Sequence, residues 1–297
     1  MLDIKRLIKS VQERLNEGRT KGESFESYLC KLLDEYQAMV MSLESQMVTE
    51  IVEKEIASSI KIIKEVLSLY SSACVAQSIL KLQNYIVNCG DNLLEITISM
   101  GQVEDRNWYR MRMQEPHSKI FPAQQMFHIP FKQRGKVNTQ RYSLPGYPCL
   151  YVSRSVWAAW EEMHEPKLAD FCVSRLELQS DIKVLDLRMV SSEEIDRLDV
   201  VRLLCTFPLI IACSVKTLNP DDNFKPEYII PQLVMLSIVE SKKYDGCAYT
   251  STQKNPFFVD WKDIHLLEKN LQMLGMWRGI PGGGRCGGRL PQMQGEG

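Results

Sequence analysis

The sequence predicts an α+β protein in which a helical bundle precedes a mixed α/β domain. Three observations predict it. All 13 prolines lie at or after Pro116, and the first hundred residues hold only three glycines, Gly18, Gly22 and Gly90. Apolar residues in that same stretch recur at helical spacing. Beyond residue 105 the chain breaks into short apolar runs punctuated by turn residues. A chain of 297 residues has room for one large or two ordinary domains.

A stretch without proline keeps every backbone donor and can run as long helices. Leu2, Ile4, Leu7, Ile8, Val11 and Leu15 mark a first stripe. From Ser24 a second passes through Tyr28, Leu29, Leu32, Leu33, Tyr36, Met39, Val40 and Leu43. A third includes Ile56, Ile60, Ile63, Val66, Leu67 and Tyr70, and a fourth runs from Val75 to Val87, with Gly90-Asp91 as the stop. Three or four such helices make a small bundle. Further on, "CLYVS" (149–153), "FCVSRLEL" (171–178) and "KVLDL" (183–187) read as strands. "SSEEIDRLDVVRLL" opens on a Ser191–Glu194 capping pattern and predicts a helix from there. "EYIIPQLVMLSIVESK" predicts a second helix with Pro231 in its first turns, and "YDG" turns the chain into a strand at "CAYTST". The expected domains are 1–104 (helical), 105–272 (mixed) and a flexible tail, 273–297, where nine of the 16 glycines fall at or after Gly275. "GGGR" in that tail lacks the strand and helix that a phosphate loop needs.

The charge is balanced at −1, so no global field favours nucleic acid or an anionic membrane. No apolar run reaches transmembrane length, and the amphipathic, acid-bearing start is not a signal peptide, so a cytoplasmic location is expected. The nine cysteines show no CxxC pair and sit mostly among apolar neighbours. They read as small buried hydrophobes in a reducing compartment. The four histidines are scattered, and no metal site is expected.

Four pieces occur in order: "NWYRMRM" (107–113), "RYSLPGYPCLYVSRSVWAAWEEM" (141–163), "YIIPQLVMLSIV" (228–239) and "DGCAYTST" (245–252). Together they resemble the RES domain, a family named for an arginine, a glutamate and a serine. The resemblance covers roughly residues 105 to 255. The helical start resembles the HEPN-type domain fused to some RES domains, on helicity and position. The ribonucleases of that group carry an Arg-then-His motif; the first 105 residues here hold no histidine, which speaks against RNA cleavage. RES-domain proteins are toxins of toxin–antitoxin pairs that act on NAD, on a fold similar to ADP-ribosyltransferases. The resemblance therefore implies NAD as substrate without a metal, an antitoxin as partner and, for a transferase, a protein acceptor of ADP-ribose; oligomeric state is left open. It places the arginine on Arg110, the glutamate on Glu162 and the serine on Ser251, with Arg141 and Tyr142 on the second arginine-aromatic step.

Breaking the bond from nicotinamide to ribose builds positive charge on the sugar, as in glycoside hydrolysis. A carboxylate aimed at that sugar gains interaction as the charge grows. Glu162 suits that role, with Glu161 adjacent; neighbours on a helix point about 100° apart, so only one faces a site. A pyrophosphate calls for arginine, whose planar fork holds two oxygens. Arg110 and Arg141 are the candidates, with Arg112 on the same strand face as Arg110. Ser251 could bond the ribose or the amide, and Tyr142 and Tyr151 could stack on a ring. The same residues also suit a second class of protein, an inactive RES-like scaffold that binds partners through its helices.

Overall fold

Helices form where the proline-free stretch permits them: α1 (Leu2–Glu17), α2 (Phe25–Met41), α3 (Glu50–Ser71) and α4 (Val75–Asn88). Ser24 and Thr49 start α2 and α3 by accepting from the backbone N–H groups of Ser27 and Val52. Gly18 closes α1 at φ 73°, a conformation that favours glycine. The computed structural model describes residues 1–89, 92–99, 107–115, 121–127, 129–252, 263–266 and 271–278. The expected Gly90-Asp91 stop lies outside these.

Eight strands form one sheet: β1 (Glu95–Ile98), β2 (Asn107–Met113), β3 (Leu150–Ser153), β4 (Phe171–Leu178), β5 (Ile182–Leu187), β6 (Gly246–Tyr249), β7 (Asp263–Leu266) and β8 (Leu271–Arg278). Their order is β1-β5-β6-β7-β3-β2-β4-β8. Only β5–β6 is parallel. A parallel pair needs a long crossover, and α6 (Val200–Ser214) and α7 (Ile229–Ser241) supply it. The short α5 (Val156–Glu162) follows β3 and packs on β2 and β3.

The sheet's two faces differ. Leu185, Leu187, Cys247 and Tyr249 point into the main core with α6 and α7. Their neighbours Val184 and Ala248 join Val152, Trp108 and Leu176 in a second cluster to which no helix residue belongs. Ile96 and Phe127, both partly buried, pack against that second cluster.

The helical start and the sheet are not separate bodies. The main core runs without a break from Ile4, Leu33 and Ile63 to Leu209, Ile230 and Cys247. Pro208, inside α6, removes the N–H that would serve the carbonyl of Leu204. The Tyr36 hydroxyl of α2 donates to that carbonyl instead, at 2.7 Å. Arg19, between α1 and α2, donates to Glu227 at 2.6 Å, with the two side chains 9% and 1% exposed. Glu227 also accepts from the Leu218 N–H. Gln12 of α1 donates to the carbonyl of Val190.

Three expectations need correction. β1 falls before residue 105 yet pairs with β5, so the boundary at 104 cuts through the sheet. β8 pairs with β4 up to Arg278, so the sheet extends six residues into the expected tail. The Ser191–Glu194 box does form, each side chain accepting from the other's N–H. It closes only a 3-10 turn, Ile195–Arg197; α6 starts afresh at Val200, where Asp199 caps the Arg202 N–H.

Candidate active site

β2 alternates. Trp108 points into the helix-free cluster, while Tyr109 and Met111 lie against α5. Arg110 and Arg112 therefore start from the Trp108 face. β2 pairs with β4 at seven positions but with β3 only at Tyr109↔Ser153. Past that pair the ladder between β2 and β3 lapses. Arg110 fills the gap: its Nη1 donates to the carbonyl of Tyr151 at 3.2 Å. Burial, with Arg112 nearby, lowers its pKa to about 10, so the guanidinium stays cationic at neutral pH. Its Nε is buried and has no hydrogen-bond partner among the described residues. Arg112 differs: it lies 4.5 Å over the Phe121 ring and donates to the carbonyl of Gln125.

α5 is set by Ser155, which accepts from the Ala158 N–H. Ala159 packs with Met111, Phe171 and Val173. Glu162 lies one turn on, on the same side of the helix. It is half-buried, and its Oε1 is buried with no hydrogen-bond partner among the described residues. Glu161, by contrast, has an interaction partner. Arg110 starts from the Trp108 face of β2, and α5, which carries Glu162, packs against the Tyr109 and Met111 face. No hydrogen bond among the described residues joins Glu162 to Arg110, Arg141 or Ser251.

Arg141 is placed otherwise than expected. It donates to the carbonyls of Cys213 (3.1 Å) and Val215 (3.0 Å) and to the hydroxyls of Thr252 (2.8 Å) and Thr217 (3.4 Å), with Tyr228 stacked 5.0 Å away. The last turn of a helix leaves carbonyls unpaired, and α6 ends without a glycine; Arg141 satisfies that of Cys213 and the following one of Val215. Tyr142 is 1% exposed, and its ring packs 4.5 Å from that of Tyr249. Burial raises its hydroxyl pKa. The residue belongs to the core and offers no face for a ligand to stack on. Tyr151 is half-buried against the main core, and burial raises its hydroxyl too. Ser251 is half-buried just past β6 and lines a cavity with residues of α1.

The quoted motifs are joined physically. In "SLPGYP" Gly146 takes φ 82° and the Tyr147 N–H donates to Leu144, as a Pro-Gly turn requires. Gln232, of the later "PQ", donates to the carbonyls of Gln140 (2.9 Å) and Ser143 (3.3 Å) and pins that turn to α7. Asp245, of "DG", accepts from the Lys183 N–H. Sequence reasoning missed Arg154, which lies 4.5 Å over Trp108, and Tyr228 beneath Arg141. Both sit inside the quoted pieces, but nothing in their spacing marks them.

Among the described residues no group of three or more His, Cys, Asp or Glu could hold a metal, and the described cysteines are free thiols. No described helix is long and apolar enough to cross a membrane.

The protein is thus α+β, with an arginine on β2 that donates to β3 and a half-buried glutamate on the short helix packed on both strands. No protein-family model matches the chain, and no solved structure matches it. It is similar to a protein of Bacillus subtilis (strain 168) described as "Putative toxin YopC", 37% identical over an alignment of 160 residues that covers 48% of this chain. The chain spans about a third of that relative's length (36%).

Proposed function

We propose that this chain is a toxin-like enzyme that cleaves the nicotinamide–ribose bond of NAD. The observation that supports this reading is that Oε1 of Glu162, on the helix packed on β2 and β3, and Nε of Arg110, on β2, are each buried without a hydrogen-bond partner among the described residues. A buried polar atom without a partner costs about 1–3 kcal/mol, and a ligand group that supplied the missing hydrogen bond would recover it. Glu162 would stabilise the sugar as positive charge grows on it, and Arg110 would hold a phosphate oxygen. Ser251 and Tyr151 are the remaining ligand contacts of this reading. Similarity to a protein named as a toxin supports it, as does the ordered resemblance to the RES domain. An antitoxin is then the expected partner. The acceptor is water, phosphate or a protein group, and the product names which.

The test is nicotinamide release from NAD by purified protein, followed by chromatography, with Glu162→Gln alongside. Release by the wild type and none by the folded variant is the expected outcome. Equal release by both would remove Glu162 from the chemistry, and a folded wild type that neither binds nor cleaves NAD would refute the reading. The helical capping role of Arg141 and the core position of Tyr142 favour a second reading, a RES-like scaffold that binds partners.

A further inference from the structure

The charge of the chain is balanced overall but not locally. Its acids outnumber its lysines and arginines, 37 to 36. Yet no Asp or Glu occurs between Glu115 and Glu161, while six lysines and arginines do. Lys119 lies outside the described residues. Two others are engaged within the fold: Arg141 caps α6 and Arg154 lies over Trp108. The remaining three, Lys132, Arg134 and Lys136, stand together on one 3-10 helix, Phe131–Lys136. All three are exposed, and none forms an ion pair among the described residues.

Aromatic rings share that surface. Phe131 is 64% exposed and Tyr147 58%. A 3-10 helix repeats every three residues, so Phe131 and Arg134 lie on one edge, about 6 Å apart along the axis. Gln133 and Lys136 share another edge, where the Lys136 ammonium donates to Gln133 Oε1 at 3.4 Å. The Gly146 N–H donates to the carbonyl of Val137 at 3.1 Å, which folds the "SLPGYP" turn back onto the end of this helix and sets Tyr147 beside it. Gln232 of α7 holds the same loop through Gln140 and Ser143, so the patch is tied to the core. A Cβ at Gly135 would meet nothing within 4 Å, so the helix is open there.

Cations alone suit any polyanion. Rings beside them select one that carries flat faces of its own. Unpaired bases of a single strand stack on such rings while the phosphates meet the cations. A duplex keeps its bases stacked on one another and offers no free face. An acidic peptide would use the cations and leave the rings idle. The net charge of −1 removes long-range steering, which a local contact does not need.

We propose that the helix Phe131–Lys136 and Tyr147 form a surface that binds single-stranded nucleic acid. The proposal goes beyond the reading above and does not depend on cleavage of NAD. RNA and DNA share this chemistry.

The test is fluorescence anisotropy of short labelled oligonucleotides of mixed sequence, RNA and DNA, single-stranded and duplex, titrated with the full chain. Three cations on a single strand predict a log–log salt slope near −2, so affinity should fall about 20-fold between about 50 and 200 mM salt. Lys132→Gln, Arg134→Gln and Lys136→Gln should each flatten that slope by about 0.7. Phe131→Ala and Tyr147→Ala should weaken binding about fivefold or more and leave the slope unchanged. Thermal melts confirm folding. Lys21→Gln, Lys31→Gln and Lys61→Gln together remove the same charge from exposed positions of the helical start and should bind as the wild type does. Tighter binding of one oligonucleotide names RNA or DNA as the source. No binding of either single strand, duplex bound as tightly as single strand, or patch variants that bind as the wild type does would overturn the proposal. So would displacement of the oligonucleotide by poly-glutamate or by phosphatidylserine vesicles at equal charge, which would reassign the surface to an acidic protein or a membrane. Because binding is read directly, failure of NAD cleavage leaves this result standing.

Discussion

Tyr36→Phe removes one oxygen atom and keeps the ring, which packs 5.3 Å from Phe207. The loss is therefore confined to the hydroxyl that serves the Leu204 carbonyl at 2.7 Å. That carbonyl lacks its ordinary helical partner because residue 208 is proline. Leaving a buried backbone acceptor unsatisfied costs about 1–3 kcal/mol, and Tyr36→Phe should destabilise the chain by that amount. Pro208→Ala returns an N–H to the helix. In that background the same Tyr36→Phe change should cost roughly 1 kcal/mol less, because the carbonyl then has a second donor. The assay is urea denaturation followed by circular dichroism on the four proteins of the cycle. The shared core predicts one cooperative transition in each. Equal Tyr36→Phe costs in both backgrounds would refute the account of Pro208. Two separate transitions, with the helical segment unfolding alone, would refute the shared core.

Removing either member of the Arg19–Glu227 pair strands a buried charge, so Arg19→Met or Glu227→Gln alone should cost about 3–5 kcal/mol in denaturant titrations. The double replacement should cost less than the sum of the two. Burial pushes the thiols of Cys205 and Cys213 up to about 12 from an ordinary 9.0. The folded state holds those protons where the unfolded chain releases them, so this stabilisation is complete below pH 9 and is lost as pH rises towards about 12. Denaturation midpoints across that window should fall, and Cys213→Ala should flatten the slope. Glu162→Gln relieves a buried unpartnered carboxylate oxygen, so its thermal midpoint should match or exceed the wild type while nicotinamide release is lost.

Much of the fold is legible in the sequence, because periodicity is a local property. Most stripe residues of α1 to α3 are buried, although Leu2 is exposed, as are Val75, Leu80 and Val87 of α4; "FCVSRLEL" matches β4 residue for residue. The start of α6 is misread because a capping box can close a single turn as well as a helix, and Asp199 competes eight residues on. Pro208 within α6 is invisible to local rules, since its compensation comes from Tyr36, 168 residues away from the carbonyl that it serves. The site divides the same way. Register places Arg110 and Arg112 on one face, but only tertiary packing separates them, through Phe121 and Gln125. Arg141 and Tyr142 carry the motif's residue types, yet their surroundings are the end of α6 and the core, which no spacing within "RYSLPGYP" encodes.

The end of α6 is closed by a side chain that comes from 72 positions earlier in the chain. An evolving lineage that abandoned catalysis would still need an arginine at position 141 to keep α6 and the loop after it in place. Retention of that arginine among descendants would then record the persistence of the fold and not of an activity. Glu162, whose buried oxygen bonds nothing among the described residues, is the position free to drift once selection on chemistry is lifted.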